Sequence, residues 1–279
     1  MLKEQEDDIN KEDNDEDYLE SSIITDDLEK NTIDRRRIKK ENFSKKRAAV
    51  ESVFDERTVF QLNKLIINGP LDKIEGLISA GKEANVYLAY DRKGNEVAVK
   101  IYKIDRNTSK WMMKYIIGDR RFKKIPKNVA KLIFLWASKE YKNLKRAYKV
   151  GLNVPKPIHI KNNILIMQYI GSGKTPAPIL KDVKNPKNID ELFQDVMVFI
   201  KKLYQKANLV HGDLSEFNIL YHNDKAIFID ISQAVDVQHP KAEDFLVRDI
   251  QNIINYFNKL GITFTELEKF YYEVINKEV

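Results

Sequence analysis

A carboxylate in the middle of an apolar helical stripe restricts what this chain can become. Between Asn128 and Gly151, Leu132, Trp136, Glu140 and Leu144 recur at every fourth position, the spacing that lines side chains along one face of a helix. Asn128 stands where an N-cap is wanted, and Gly151 can close the last turn. A buried carboxylate without a partner costs several kcal/mol, on the order of the desolvation of an ion. Unless Glu140 sits at the stripe's edge and reaches water, the fold must therefore bring it a cation. The strand-like run Glu96–Tyr102 offers one. Its alternation puts Val97, Val99 and Ile101 on one face and Ala98, Lys100 and Tyr102 on the other. Lys100 is then flanked by apolar neighbours and itself needs an anion or a wet cleft. A Lys100–Glu140 pair meets both needs.

The surrounding patterns give the order of elements. Thr58 to Asn68 has helical spacing ahead of Gly69. Residues 76–79, 85–90 and 96–102 read as strands of an antiparallel meander, with turn signals at Ala80-Gly81 and Asp91-Arg-Lys-Gly94. Residues 103–127 read as irregular and basic, and Pro155 and Pro157 as breakers. A strand follows at 163–170, a Gly/Pro/Lys loop at 171–188, an amphipathic helix at 189–207, a hairpin around residues 222–225, and helix from about 241. The fold class expected is α+β with two lobes. The first is an antiparallel sheet with one internal helix (46–167), the second reduced and mainly helical (168–279), and a charged segment (1–45) precedes both.

The segment His211-Gly-Asp-Leu-Ser-Glu-Phe-Asn-Ile-Leu220 carries Asp213 and Asn218 five apart, and Asp230 lies twelve residues beyond Asn218. The hairpin brings Asn218, at the start of one strand, near Asp230, at the end of the next. The result is an oxygen-rich site with two cation ligands, Asn218 and Asp230, and an unpaired base, Asp213. Hard cations such as Mg²⁺ take such ligands together with phosphates and water, which is the arrangement of phosphoryl transfer. The hairpin of residues 78–87 is small and polar, so its backbone N–H groups can approach phosphates. Gly171-Ser-Gly-Lys-Thr175 ends like a Walker A loop, but Gln168 occupies the place of its first glycine.

Charge is segregated along the chain. Residues 1–30 hold thirteen Asp/Glu and three Lys, whereas residues 100–150 hold sixteen Lys/Arg and three acids. The first 45 residues have too few apolar groups to offset chain entropy. The basic block, interleaved with Trp111, Tyr115, Phe122 and Trp136, predicts attraction to a polyanion such as RNA, its aromatics either stacking on bases or belonging to the core. With no cysteine, thiolate metal sites and cysteine nucleophiles are excluded, and a reducing compartment is expected. The acidic N-terminus has no apolar secretory core and no apolar run approaches the roughly 20 residues of a membrane span. The expected location is cytoplasmic, with no membrane partner.

Together, I-S-A-G-K-E-A-N-V-Y (78–87), V-A-V-K-I-Y-K (97–103), W-A-S-K-E-Y-K-N-L (136–144), L-I-M-Q-Y-I-G (165–171), P-A-P-I-L-K-D (176–182), H-G-D-L-S-E-F-N-I-L (211–220) and I-D-I-S-Q (229–233) resemble the RIO family of atypical protein kinases, in its type-one branch. The resemblance covers about residues 51–255 and implies a kinase-like fold, ATP and Mg²⁺ (or Mn²⁺) as cofactors, and serine kinase or ATPase activity in maturation of the small ribosomal subunit. By it, Lys100 binds the α- and β-phosphates and pairs with Glu140, and Asp213 is the catalytic base or acceptor-side carboxylate. Asn218 and Asp230 hold the metal. Ser79, Ala80, Gly81, Lys82, Glu83 and Ala84 form the phosphate-loop region, with Val86 and Ala98 also against the nucleotide. The backbone of Gln168 and Ile170 forms the adenine hinge, with Met167 behind it. The insert 103–127 corresponds to a flexible loop. Pre-ribosomal RNA, through the 100–150 surface, and a protein acceptor, including the chain itself, are the implied partners.

The sequence also departs from kinase patterns. Ala80 stands where the family often has threonine. Gly212 replaces the arginine of ordinary kinases, Ile-Ser follows Asp230 in place of Phe-Gly, and no Ala-Pro-Glu segment is present. The peptide platform of ordinary kinases is therefore expected to be missing. Two other readings stay open at this level: a small-molecule phosphotransferase of the aminoglycoside-kinase kind, and a nucleotide-gated assembly factor that hydrolyses ATP without a protein acceptor.

Overall fold

In the computed structural model of the protein, residues 55–276 are described; the charged segment 1–45 lies outside them. Asp55 caps helix α1 (Glu56–Ile67) by accepting from the backbone N–H groups of Arg57 and Thr58. Strands β1 (Leu71–Ala80), β2 (Ala84–Asp91) and β3 (Glu96–Tyr102) form the meander. Helices α2 (Arg106–Ile116) and α3 (Val129–Lys149) follow, then β4 (Pro157–Lys161) and β5 (Ile164–Gln168). The five strands make one antiparallel sheet in the order β1-β2-β3-β5-β4.

The alternation along β3 gives the sheet two different faces. Val97, Val99 and Ile101 join Leu71, Ile74, Tyr87, Ile164 and Ile166 in an apolar layer covered by Leu62 and Leu65 of α1. Ala98, Lys100 and Tyr102 point the other way, where α3 brings Glu140. Asn163 fastens the two layers: its amide donates to Thr58 Oγ1 at 2.8 Å and to the Tyr102 carbonyl at 2.7 Å.

Beyond β5 the chain makes a small hairpin, β6 (Gly171–Ser172) and β7 (Thr175–Pro176), then α4 (Ile189–Gln205) and β8 (Leu209–Val210). The hairpin of β9 (Ile219–His222) and β10 (Lys225–Phe228) follows, then β11 (Val235–Asp236), which pairs with β8. Helices α5 (Ala242–Lys259) and α6 (Leu267–Ile275) end the described chain. Their apolar faces, with that of α4, bury Phe193, Phe199, Ile250, Ile253, Phe257 and Val274. The α+β, two-lobed kinase-like class follows from this order of sheet and helices.

Three local expectations are corrected, and one open alternative is largely decided. The stretch 103–127 is not irregular throughout: Asp105 caps α2 through Thr108, and Met112, Tyr115 and Ile116 are buried along one side of it. Of the four aromatic residues left open between core and base stacking, three belong to the core and Trp111 is half-buried. Tyr115, Phe122 and Trp136 are buried, and Trp111 meets Trp136 edge-on at 5.3 Å. Pro157 does not break the chain but opens β4, an edge strand where the lost N–H is tolerated. The second strand of the later hairpin stops at Phe228, so Asp230 is not its last residue. Asp230 instead adopts a left-handed backbone (φ 56°, ψ 55°) ahead of a 3₁₀ turn at Ile231–Gln233.

Candidate active site

A cleft of about 440 Å³ opens between the large sheet and the β9–β10 hairpin. Its roof is the β1–β2 hairpin, represented by Ser79, Gly81, Lys82, Glu83 and Ala84, and by Val86 beyond it. The tip of the hairpin is tightly closed. Gly81 N–H donates to the Ala84 carbonyl at 2.9 Å, and a Cβ on Gly81 would lie 2.9 Å from that same oxygen, so glycine is required there. Lys103 braces the tip, donating from Nζ to the Gly81 carbonyl at 2.7 Å and from its backbone to the Glu83 carbonyl at 2.8 Å. The backbone N–H groups of Lys82 and Glu83 have no partner among the described residues. Ala80 is exposed and does not line the cleft.

Ala98 and Met167 line the inner end, followed by Gln168 and Ile170. The N–H of Gln168 is already given to the Lys156 carbonyl at 2.8 Å, and the Ile170 carbonyl accepts from Ala177 at 3.0 Å. The hinge donor left for an adenine ring is therefore the N–H of Ile170, which narrows the expected contribution of Gln168 to its carbonyl.

Lys100 reaches the floor of the cleft. Its Nζ donates to Glu140 Oε1 at 2.9 Å and to Asp230 Oδ1 at 2.8 Å. Tyr102 Oη, from the same strand face, donates to Glu140 Oε2. Both carboxylate oxygens of Glu140 are thus satisfied, and the residue is fully buried behind Lys100 rather than on the cleft wall. Burial pulls the Lys100 ammonium down, but Asp230 and Glu140 more than reverse it and hold it above its ordinary value. Burial pushes the Glu140 carboxyl up against the opposing pull of Lys100.

Asp230 and Asn218 meet on the opposite wall. The Asn218 carbonyl accepts from Ile229 N–H at 2.9 Å, which puts the two residues side by side. Asp230 Oδ1 accepts from Lys100 and, at 2.9 Å, from Ser232 Oγ, leaving Oδ2 uncommitted. Burial raises the Asp230 carboxyl, but the Lys100 charge and the hydrogen bonds from Lys100 and Ser232 prevail and hold it low. Asn218 spends its amide nitrogen on the Asp213 carbonyl at 2.8 Å, leaving Oδ1 uncommitted. One ionised carboxylate oxygen and one amide oxygen on the wall of the cleft fit a hard divalent cation that takes its remaining ligands from phosphate and water. No cluster of three or more His, Asp or Glu able to hold a metal exists among the described residues, so the protein alone offers an incomplete set.

Asp213 is close to this pair but is not unpaired, as the sequence suggested. Its Oδ2 accepts from Gln233 Nε2 at 2.8 Å and more distantly from Asn218 Nδ2 at 3.4 Å. Burial and the nearby Asp230 charge raise its carboxyl, opposed by Arg248, Asn218 and Lys114. A raised carboxyl beside the cation site suits a group that accepts a proton.

One functional side chain escaped the sequence reading, and another was placed at the site by the resemblance alone. Asp249, almost fully buried in α5, accepts from Gly212 N–H at 2.7 Å and Leu214 N–H at 2.9 Å, clamping both sides of Asp213. Its signal was present: it interrupts the apolar series Phe245, Leu246, Ile250 and Ile253 just as Glu140 interrupts its stripe. Glu83 faces the cleft, and burial together with the Asp230 charge raises its carboxyl to about 7.

The chain is similar to known proteins over most of its described length. Residues 85–270 match the RIO domain. The RIO-type serine/threonine-protein kinase Rio1 of Haloferax volcanii is 41% identical over 213 residues, covering 76% of this chain and 72% of that protein. The protein of the same name from Methanocaldococcus jannaschii is 38% identical over 252 residues, covering 88% and 85%. Some eukaryotic relatives are longer: the chain spans 44% of the serine/threonine-protein kinase rio1 of Schizosaccharomyces pombe. Among solved structures, the Rio2 kinase from Chaetomium thermophilum is similar with a TM-score of 0.60 and 25% identity, covering 77% of this chain and 65% of that one.

Proposed function

The chain belongs to the RIO family of serine/threonine-protein kinases, and from that premise we propose that it acts on Mg²⁺–ATP with Asn218 and Asp230 as the protein ligands of the metal. The observation that carries this reading is Lys100, held between Glu140 and Asp230 at the floor of the cleft. The bridge leaves an ammonium, a free Asp230 oxygen and a free Asn218 oxygen on the wall of one cleft.

The adenine enters between Met167 and the roof and takes the Ile170 N–H. The open N–H groups of Lys82 and Glu83 and the ammonium of Lys100 receive the phosphates. Charge that develops on the transferring phosphoryl group meets donors already in place, so little reorganisation is needed at the moment of transfer. A metal held by Asn218 and Asp230 would supply charge neutralisation to the phosphates. Asp213, steadied by Gln233 and Asn218, orients the attacking hydroxyl or water and takes its proton.

The acceptor is a serine or threonine hydroxyl, and water competes for the same phosphoryl group. We place the protein in maturation of the small ribosomal subunit, in the cytoplasm, with ribosomal RNA as the polyanion. Support comes from the exposed cations Arg106, Lys110, Lys114, Arg120, Lys123, Lys124 and Lys127. None of the helices among the described residues is long and apolar enough to cross a membrane. The test is Asp230→Ala in nucleotide titrations with and without Mg²⁺. The metal-dependent gain in ATP affinity should vanish, and an unchanged gain refutes the ligand role. Measuring ATP turnover against phosphate retained on protein separates transfer from hydrolysis.

A further inference from the structure

Lys139 and Asn143 are fully buried in α3, beside the Lys100 partner Glu140, yet neither touches the cleft. They reach the far side of the turn that begins at Asp230. Lys139 Nζ donates to the Ser232 carbonyl at 2.8 Å and to that of Ala234. Asn143 Nδ2 donates to the Ile231 carbonyl at 2.8 Å and to that of Ala234 at 3.0 Å. Arg121 adds bonds to Asn143 Oδ1 at 2.7 Å and to the Ala234 carbonyl at 3.3 Å. Arg121 is itself held by a forked pair with Asp119, at 2.8 and 2.6 Å.

A lysine amine with no exposed surface and only carbonyls for acceptors is an expensive way to fill a core. An apolar side chain of the same length would fill the space without that desolvation cost. What the amine does instead is fix a turn with two functional ends. At one end Asp230 has a left-handed backbone, a region that costs L side chains energy although Asp and Asn tolerate it better than most. At the other end Gln233 donates to the carboxylate of Asp213. The single turn thus sets the relation between the cation ligand and the base.

We propose that Lys139, Asn143 and Arg121 are positioning residues that lock the 231–234 turn, so that Asp230 and, through Gln233, Asp213 keep one mutual geometry. The inference rests on the reading of Asp230 as a metal ligand. It also makes α3 and the turn one rigid piece: a movement of the helix that withdrew Glu140 from Lys100 would pull the turn with it.

The experiment is calorimetric titration of ADP into Lys139→Met, with and without Mg²⁺, alongside a thermal melt. Metal-free ADP affinity should stay within about twofold of the parent, because the roof and hinge are untouched. The gain on adding Mg²⁺ should fall by about tenfold or more (one power of ten per 1.4 kcal/mol). Should Lys139→Met fail to fold, Asn143→Leu and Arg121→Met carry the same test. A folded variant that keeps the full Mg²⁺ gain overturns the proposal. So does one whose metal-free and metal-dependent binding fall together. Asp230→Ala separates the failures: if it loses the gain while Lys139→Met keeps it, the positioning role alone is wrong, and if both keep it, the metal reading falls as well.

Discussion

Lys100 Nζ lies 2.8 Å from Asp230 Oδ1, a contact between residues 130 positions apart. It joins the central strand of the sheet to the turn after β10. The same nitrogen holds Glu140 at 2.9 Å, so it serves a fully buried carboxylate and a half-exposed one together. Removing it has two separable effects. In Lys100→Met, Glu140 keeps the Tyr102 hydroxyl but loses its cation, and an uncompensated buried charge costs about 3–5 kcal/mol. Chemical denaturation should report a loss of that order, moderated if Glu140 takes up a proton. Phosphoryl transfer should fall by about 100-fold or more, the scale seen when one fixed transition-state donor is lost. Lys93→Met, in the exposed β2–β3 turn, should change neither.

Asp249 bonds the backbone on both sides of Asp213, so Asp249→Asn probes the catalytic loop without entering the cleft. The amide can accept only one of the two N–H groups through its oxygen and turns its own N–H₂ toward the other. A buried donor left unsatisfied costs about 1–3 kcal/mol. The melting temperature should drop accordingly. The turnover number should fall by about tenfold while the KM for ATP holds, because hinge and roof are unaffected. A KM that rises in step would show that the loop also shapes the nucleotide site.

Much of this site was legible because its residues break a pattern. Glu140 interrupts an apolar stripe and Lys100 an apolar strand face, and each misfit implied the other; the pair is formed. Alternation also assigned the two faces of β3, because one face packs under α1. The reading went astray where local chemistry outvoted composition. Between 103 and 127 the lysines masked a capped helix whose apolar side is carried by only a few residues. At Asp230 a strand pattern ran past the real end of β10, because hydrophobic alternation does not register a left-handed residue. Gln233 on Asp213, and the clamp from Lys139 and Asn143, were invisible for a different reason. They depend on where distant backbone carbonyls point, which no periodicity encodes.

Glu83 predicts a pH dependence in the nucleotide site. Burial first, and then the Asp230 charge, raise its carboxyl from the ordinary 4.5 to about 7. Below that pH the residue is neutral, and above it a further negative charge stands in a cleft that must accept a triphosphate. Metal-free ATP affinity should therefore weaken as pH rises from 6 to 8, by up to about tenfold for each unit of coupling. Glu83→Gln should flatten that part of the profile and bind more tightly at pH 8. The same shift works against folding: the contribution of Glu83 to stability is full below about 4.5, where it is protonated folded or unfolded, and declines as pH climbs toward 7. A wild-type profile identical to that of Glu83→Gln would show that the carboxyl does not face the phosphates.

The basic surface makes the last prediction, and salt decides it. Lys123, Lys124 and Lys127 are exposed in the link between α2 and α3, and Arg120 and Lys131 flank them with exposed side chains. None of the three pairs with a carboxylate among the described residues, unlike Arg121, which Asp119 consumes. Cations left open to solvent can release counterions from a nucleic acid backbone, and for single strands each phosphate neutralised contributes about 0.7 to the slope of log affinity against log salt. Changing all three to alanine should weaken binding to RNA of any sequence and reduce that slope by about two. Tyr115, Phe122 and Trp136 are enclosed in the core and cannot stack on bases in their place. Filter binding from 50 to 300 mM salt measures the slope directly. An unchanged slope in the triple variant would move the RNA contact off this link, and a flat slope in the parent protein would remove RNA as the partner of the basic face altogether.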